Sequence, residues 1–182
     1  MEERDCRVSV GRHCGSRDPS ARGGDRCCRL RCRHPELPYF FGDRDGIREC
    51  AENVRAQDGF VAQDRGEILA FATTAPASSQ AVEITWLAVQ AKWRGSGLGR
   101  RLVERTAAEA VREGFALLCV LTLAPSVPEP FVKDGYEGTR RFWQRLGFVP
   151  VKELSLSDWP AQALLLIRSL GPSPESRFMG RM

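Results

Sequence analysis

The run Arg94-Gly95-Ser96-Gly97-Leu98-Gly99 holds three alternating glycines behind an arginine, directly ahead of a helix-period pattern. From Leu98 the apolar residues recur as Leu102, Val103, Ala107, Ala110 and Val111, and the pattern stops at Gly114. Glycines at such a junction let a ligand approach the main chain, and the first turn of a helix has N–H groups with no partner inside the helix. That combination suits an anion, above all a phosphate or diphosphate. A Walker A loop is excluded, because no lysine follows Gly99. The dinucleotide fingerprint fits poorly, since Arg100 stands where its spacing would continue. A short flexible turn is the other reading of so brief a glycine pattern.

The elements that must hold this loop are legible on both sides. Upstream, Ala81 to Val89 reads AVEITWLAV, rich in β-branched and aromatic types, with Val82, Ile84, Trp86 and Ala88 on one side of a period-2 pattern and Glu83, Thr85, Leu87 and Val89 on the other. Downstream, Leu117 to Leu123 is a continuous apolar run, as expected of a strand buried on both faces. Alternation at Cys28, Leu30 and Cys32 predicts a first strand near Cys27, and Ile47 to Ala56 has a helical spacing. Strands are expected at Phe60 to Gln63 and Glu67 to Thr74, joined as a hairpin by Asp64-Arg65-Gly66. After the loop Ala124 to Gly135 come a short helix, Tyr136 to Leu146, and strands at Phe148 to Leu156 and Ala163 to Leu170.

The 182 residues suit one domain, and 42% apolar with 27% charged residues is an ordinary globular balance. Residues 1 to 33 carry nine arginines against five acids, a surplus of four that equals the net charge of +4 for the whole chain. The rest is neutral, which argues against a nucleic-acid-binding domain, although the basic tail could touch RNA or acidic lipid. Residues 1–26 lack periodicity and are expected to form a disordered, Arg-rich extension; residues 172–182 are expected to be a disordered tail. No apolar run has the length of a membrane span or the character of a secretory signal, so a cytoplasmic protein with no membrane partner is expected.

Seven cysteines are present: Cys6, Cys14, Cys27, Cys28, Cys32, Cys50 and Cys119. The group Cys27, Cys28, Cys32 and His34, with His13 and Cys14 upstream, invites a zinc reading, but it contains no CxxC pair, and the spacing favours structural thiols with no metal. Cys119 reads as a small buried hydrophobe and not as a nucleophile.

Arg94, Gly97 and Gly99, together with the preceding strand, the following helix and the segment TRRFWQRLGF, resemble the acyl-CoA loop and downstream motif of the GNAT superfamily of N-acetyltransferases. The resemblance covers residues 27–171 and implies an α/β fold with a mixed central sheet of about seven strands and flanking helices. It also implies acetyl-CoA as co-substrate and a primary amine on a small molecule or peptide as acceptor, and it is compatible with a homodimer. By the same resemblance, the central strand and the strand after its helix splay apart. Leu87, Ala88 and Val89 would pair with the pantothenate arm, and Arg94, Gly95, Ser96, Gly97, Leu98, Gly99 and Arg100 would hold the pyrophosphate. Glu83 resembles the carboxylate that some members use as a base; a solvent-facing strand glutamate is the other reading.

The chain departs from the family in two places. Trp143 stands where many members have a tyrosine that protonates the leaving thiolate, and an indole N–H is no general acid near neutral pH. Tyr136 lies about 10 Å earlier along the helix and is no simple substitute; both residues are expected near the substrate. Ser126 is the one candidate for the polar side chain that follows the next strand in the family. A non-catalytic acyl-CoA-binding module and an RNA adaptor using the arginine tail are the competing readings.

Overall fold

A computed structural model describes residues 9–13, 52, 56–127, 136–157 and 161–171. Among the described residues, seven strands form one sheet in the order β1-β2-β3-β4-β5-β7-β6. They are β1 (Ser9–His13), β2 (Asp58–Asp64), β3 (Glu67–Pro76), β4 (Ala81–Val89), β5 (Leu117–Leu123), β6 (Val149–Leu154) and β7 (Ala163–Ser169). Helix α1 (Leu98–Arg112) joins β4 to β5, and α2 (Glu137–Arg145) precedes β6. The contacts divide the chain within β4 and α1 into two compact units, residues 1–75 with 85–106 and residues 76–84 with 107–182.

In the first unit, β2 and β3 form the expected hairpin, with Asp64 opposite Glu67. Arg65 (φ 47°) and Gly66 (φ 85°) make the turn, and positive φ at both central residues is what lets a two-residue turn follow the twist of the strands. A register shift at Ala62/Gln63 inserts Leu69 as an extra residue in β3. One face of these strands gathers Phe60, Ala62, Leu69, Ala70 and Ala72 with Leu98 and Leu102 of α1, and Leu87, Val89 and Trp93 pack against them. The other face packs Val61 and Phe71 with Ile68, Trp86 and Ala88. Leu102 is wholly buried, and a site of that kind typically loses about 2–5 kcal/mol on truncation to alanine. The apolar stripe of α1 therefore fixes where its first turn lies.

In the second unit, β7 lies antiparallel between β5 and β6. Leu118, Cys119, Val120 and Thr122 of β5 are all buried, so both faces of that strand are covered, as its unbroken apolar run led one to expect. Helix α1 ends at Gly114, whose φ of 89° is the left-handed stop that glycine favours.

One expectation is corrected. Residues 1–26 were expected to lack structure, yet Ser9–His13 is an antiparallel strand in register with Gly59 to Gln63 of β2. The segment SVGRH has a single large apolar residue and no alternation to read, so its pairing is supplied by the edge of β2 and not by its own sequence. The strand expected from Cys27 and the cysteine-histidine group lie outside the described residues; within the expected early helix, Glu52 and Ala56 are helical.

Candidate active site

The glycine loop begins where β4 runs out. Gln90 donates its N–H to Leu69 O at 2.9 Å, and a single 3₁₀ turn, Ala91–Trp93, follows. The carbonyl of Trp93 accepts both the Ser96 N–H (3.3 Å) and the Ser96 hydroxyl (2.5 Å), while its ring packs on the core. The loop is thus tied down at Trp93. Gly95 and Gly97 have φ of 78° and 85°, a conformation that side chains resist. Arg101 N–H to Gly97 O (3.0 Å) is the first bond of α1, which leaves the amides of Leu98, Gly99 and Arg100 ahead of the intrahelical ladder. The Leu98 side chain is 3% exposed, so the backbone that carries these amides is anchored from beneath.

The geometry fits an anion. The first turn of α1 has no acid, and a Cβ built at Gly95 or Gly97 meets nothing within 4 Å. The exposed backbone at Gly95 to Gly97 therefore faces open space at the positive end of a helix whose first turn includes the exposed Arg100. Arg94 turns back and donates its Nε–H to Val89 O at 3.3 Å.

Strand β4 pairs with β5 over only the first part of its length. Its parallel register with β5 comprises Ala81↔Leu117, Val82↔Leu118 and Glu83↔Cys119 and ends there. The Glu83 carboxyl is half-buried, and burial raises its pKa above the ordinary carboxylate value. Opposite it, the Cys119 thiol is pushed up to about 11, first by burial and then by the charge of Glu83, and it donates to Val82 O at 3.6 Å. Cys119 is therefore a protonated, inert thiol at neutral pH, as the sequence suggested.

The alternation expected along β4 does not persist. Thr85 bonds Thr73 across to β3 (2.8 Å), and Thr73 lies on the side of β3 that carries Phe71. Trp86 and Ala88 pack against the cluster of Val61 and Phe71 on that side, so Thr85 and Trp86, consecutive in the chain, share a face. Two neighbours on one face are what a β-bulge produces. Leu87 and Val89 go to the opposite face, against the cluster that contains Leu98 and Leu102, instead of continuing the row of Glu83 and Thr85.

The remaining expected residues lie in the second unit. Tyr136 opens α2 with its phenol pKa raised by burial, while Thr122 and Arg140 pull the other way. Arg140 also donates to Leu123 O at 3.3 Å. Trp143 is 4% exposed and makes edge-to-face contacts with Phe142 (5.0 Å) and Phe148 (5.1 Å), the environment of a packing residue. The Ser126 hydroxyl is taken by the Glu153 carboxylate. Two features went unread in the sequence: the Glu83–Cys119 pair, which depends on register, and the polar chain from Thr73 through Thr85 to Gln57, because a threonine in a strand carries no signal of its own. Among the described residues no group of His, Cys, Asp and Glu could hold a metal ion, and no helix is long and apolar enough to cross a membrane.

Residues 55–150 match the family model described as an acetyltransferase (GNAT) domain. An uncharacterized N-acetyltransferase of Chlorobaculum tepidum is 33% identical over 86 residues, which is 46% of this chain and 56% of that protein, so the match spans little more than half of the relative. A GNAT family acetyltransferase of Elizabethkingia anophelis, solved with acetyl-CoA bound, superposes with a TM-score of 0.63 at 15% identity over 89% of this chain and 97% of its own. The aminoglycoside 6'-N-acetyltransferase of Enterococcus faecium does so with a TM-score of 0.57 at 20% identity over 71% of this chain and 84% of its own. Identities this low speak for the fold alone.

Proposed function

The chain belongs to the GNAT acetyltransferase family, and from that premise we propose that it moves acetyl from acetyl-CoA directly onto a primary amine of a small molecule or peptide. The observation that carries the reading is the cradle at the head of α1, with positive-φ glycines, open space over them, no acid in the first turn and amides ahead of the helical ladder. Gly95, Ser96, Gly97, Leu98, Gly99 and Arg100 would hold the diphosphate, with Arg94 beside them. Leu87, Ala88 and Val89 lie on β4 beyond its last pair with β5, and their main-chain groups would pair with the amide-bearing arm.

When bound, acetyl-CoA supplies an activated thioester. The protein must then position the amine and take its proton. Glu83 suits the second task, because burial shifts its pKa toward neutrality and so makes it a stronger base than an exposed carboxylate. Glu83 takes one proton from the ammonium so that the neutral amine can attack; the C–N bond then forms as the C–S bond breaks, and the second proton shed by the nitrogen passes through solvent to the departing thiolate. Trp143 supplies none, being enclosed by aromatic rings. Tyr136 and Ser126 would line the path of the substrate and the arm.

The position of Trp143 favours one competing reading, an acyl-CoA-binding module without turnover. Coenzyme A thiol release, measured with a panel of polyamines, amino acids, aminoglycosides and peptide N-termini, separates the two. Release with any acceptor supports the enzyme; acetyl-CoA binding without release across the whole panel overturns it.

A further inference from the structure

One side chain ties the start of the glycine loop back to the sheet. Gln90 stands at the cap position of the 3₁₀ turn Ala91–Trp93, yet its side chain makes no bond to that turn. Its Nε2 instead reaches β3, donating to Ile68 O at 2.6 Å and to Glu67 Oε1 at 3.3 Å. Both partners, a backbone carbonyl and a carboxylate, can only accept, so the amide must present its NH₂ to them. The amide oxygen is thereby fixed in a buried position, where it has no hydrogen-bond partner. A buried acceptor left unpaired costs stability, and native proteins keep few of them. Trp93 Nε1, at the other end of the same turn, is a second buried polar atom without a partner.

What the amide holds gives this arrangement a reason. The Gln90 N–H donates to Leu69 O at 2.9 Å, and the Gln90 carbonyl accepts the Trp93 N–H at 2.9 Å. Trp93 O in turn accepts the N–H and the hydroxyl of Ser96, the neighbour of Gly97, whose carbonyl starts α1. A line of hydrogen bonds therefore runs from Ile68 in β3 through Gln90, Trp93 and Ser96 to the cradle, all of it inside the first unit. We infer that Gln90 is a positioning residue for acetyl-CoA, whose side-chain amide clamps the exit of β4 to β3 and keeps the diphosphate cradle formed before the co-substrate arrives. A cradle formed only part of the time binds more weakly in proportion to the fraction formed. Glu67 supports the clamp and also accepts from Lys92 Nζ at 3.0 Å. The inference rests on the proposed function, in which this loop holds the diphosphate.

Calorimetry with acetyl-CoA tests it, together with steady-state thiol release from acetyl-CoA and from S-acetylpantetheine, a donor that has no diphosphate. Gln90→Met keeps the length of the side chain and removes the donors and the unpaired oxygen together. It is expected to raise the Kd for acetyl-CoA about tenfold and to leave kcat at saturation within about twofold of wild type. Its kcat/KM with S-acetylpantetheine should not change. The melting temperature should stay within about 3 °C, because two hydrogen bonds are lost along with a buried unpaired acceptor. Glu67→Ala, at an exposed position, removes one acceptor of the clamp and is expected to raise the Kd about threefold, with little further effect in the Gln90→Met background. Unchanged affinity in Gln90→Met, or in Glu67→Ala should the first variant not fold, would overturn the inference while leaving acetyl transfer intact. Equal losses with acetyl-CoA and S-acetylpantetheine would overturn it too, since they would mark a general disturbance of the fold. Absence of acetyl-CoA binding by the wild-type chain would instead sink the proposed function, and this inference with it.

Discussion

Glu83 and Gly97 represent two ways of offering a functional group. Glu83 works through its side chain, and its usefulness depends on what surrounds it: a half-buried position and Cys119 at the last register pair between β4 and β5. Gly97 works by having no side chain, and its usefulness depends on backbone conformation: a φ of 85°, nothing within 4 Å of the missing Cβ, and a carbonyl that starts α1. The first kind of site is tuned by environment and tolerates small geometric change. The second is fixed by main-chain geometry and tolerates almost no substitution.

The largest expected effect is at the glycine. Gly97→Glu puts a side chain and a negative charge where a diphosphate would approach the backbone, and it should abolish acetyl-CoA binding as read by calorimetry on the folded variant. Gly97→Ala separates conformation from charge: its Cβ has room, so the cost is the positive φ alone, about 1–2 kcal/mol in stability. Unchanged affinity in Gly97→Glu would remove the cradle from the site.

Next comes the carboxylate. Glu83→Gln should lower kcat/KM by about 10²- to 10⁴-fold at low pH, with partial recovery as rising pH supplies neutral amine; a loss under about threefold would make Glu83 an ordinary strand residue. The same substitution has a stability signature of opposite sign. Because the folded-state pKa of Glu83 is raised, the folded chain holds the proton more tightly than the unfolded one, and stability falls as pH rises from the unfolded pKa through the folded one. Glu83→Gln should therefore melt at a higher temperature than wild type above that window and no higher below about pH 4, as a calorimetric pH series would reveal.

A smaller effect is expected at Trp143. Trp143→Tyr replaces an indole enclosed by Phe142 and Phe148 with a smaller ring, which should cost about 1–3 kcal/mol of stability by chemical denaturation and move kcat by less than about threefold. A tenfold gain in kcat would show that proton delivery to the thiolate limits turnover. The smallest effect is expected from deleting residues 1–26, which removes β1 from the edge of β2. The melting temperature should fall by a few degrees with acetyl-CoA affinity retained, since no residue of the glycine loop is lost.

Local patterns were enough to read the glycine loop, α1, β4, β5 and the hairpin at Arg65-Gly66, because each is specified by its own residues: a period of 3.6 or 2, a glycine where φ must be positive, an apolar run where both faces are covered. Element ends moved by a residue or two, as fraying allows. Three matters lay beyond the sequence. Strand β1 exists because β2 has an edge to pair with, and SVGRH contains nothing that announces it. The faces of Leu87 and Val89 were misassigned because Thr85 and Trp86 share a side, an irregularity set by the contacts of β4 with Thr73 and Phe71, which strict alternation cannot foresee. The environments of Glu83, Cys119 and Gln57 depend on register, and register is a relation between strands far apart in the chain. The sequence by itself determined where the backbone can turn, start a helix and leave room for a ligand, because those are properties of consecutive residues. Only the tertiary structure decided which carboxyl is shielded and which thiol is silenced, because burial arises from neighbours that the chain order does not name.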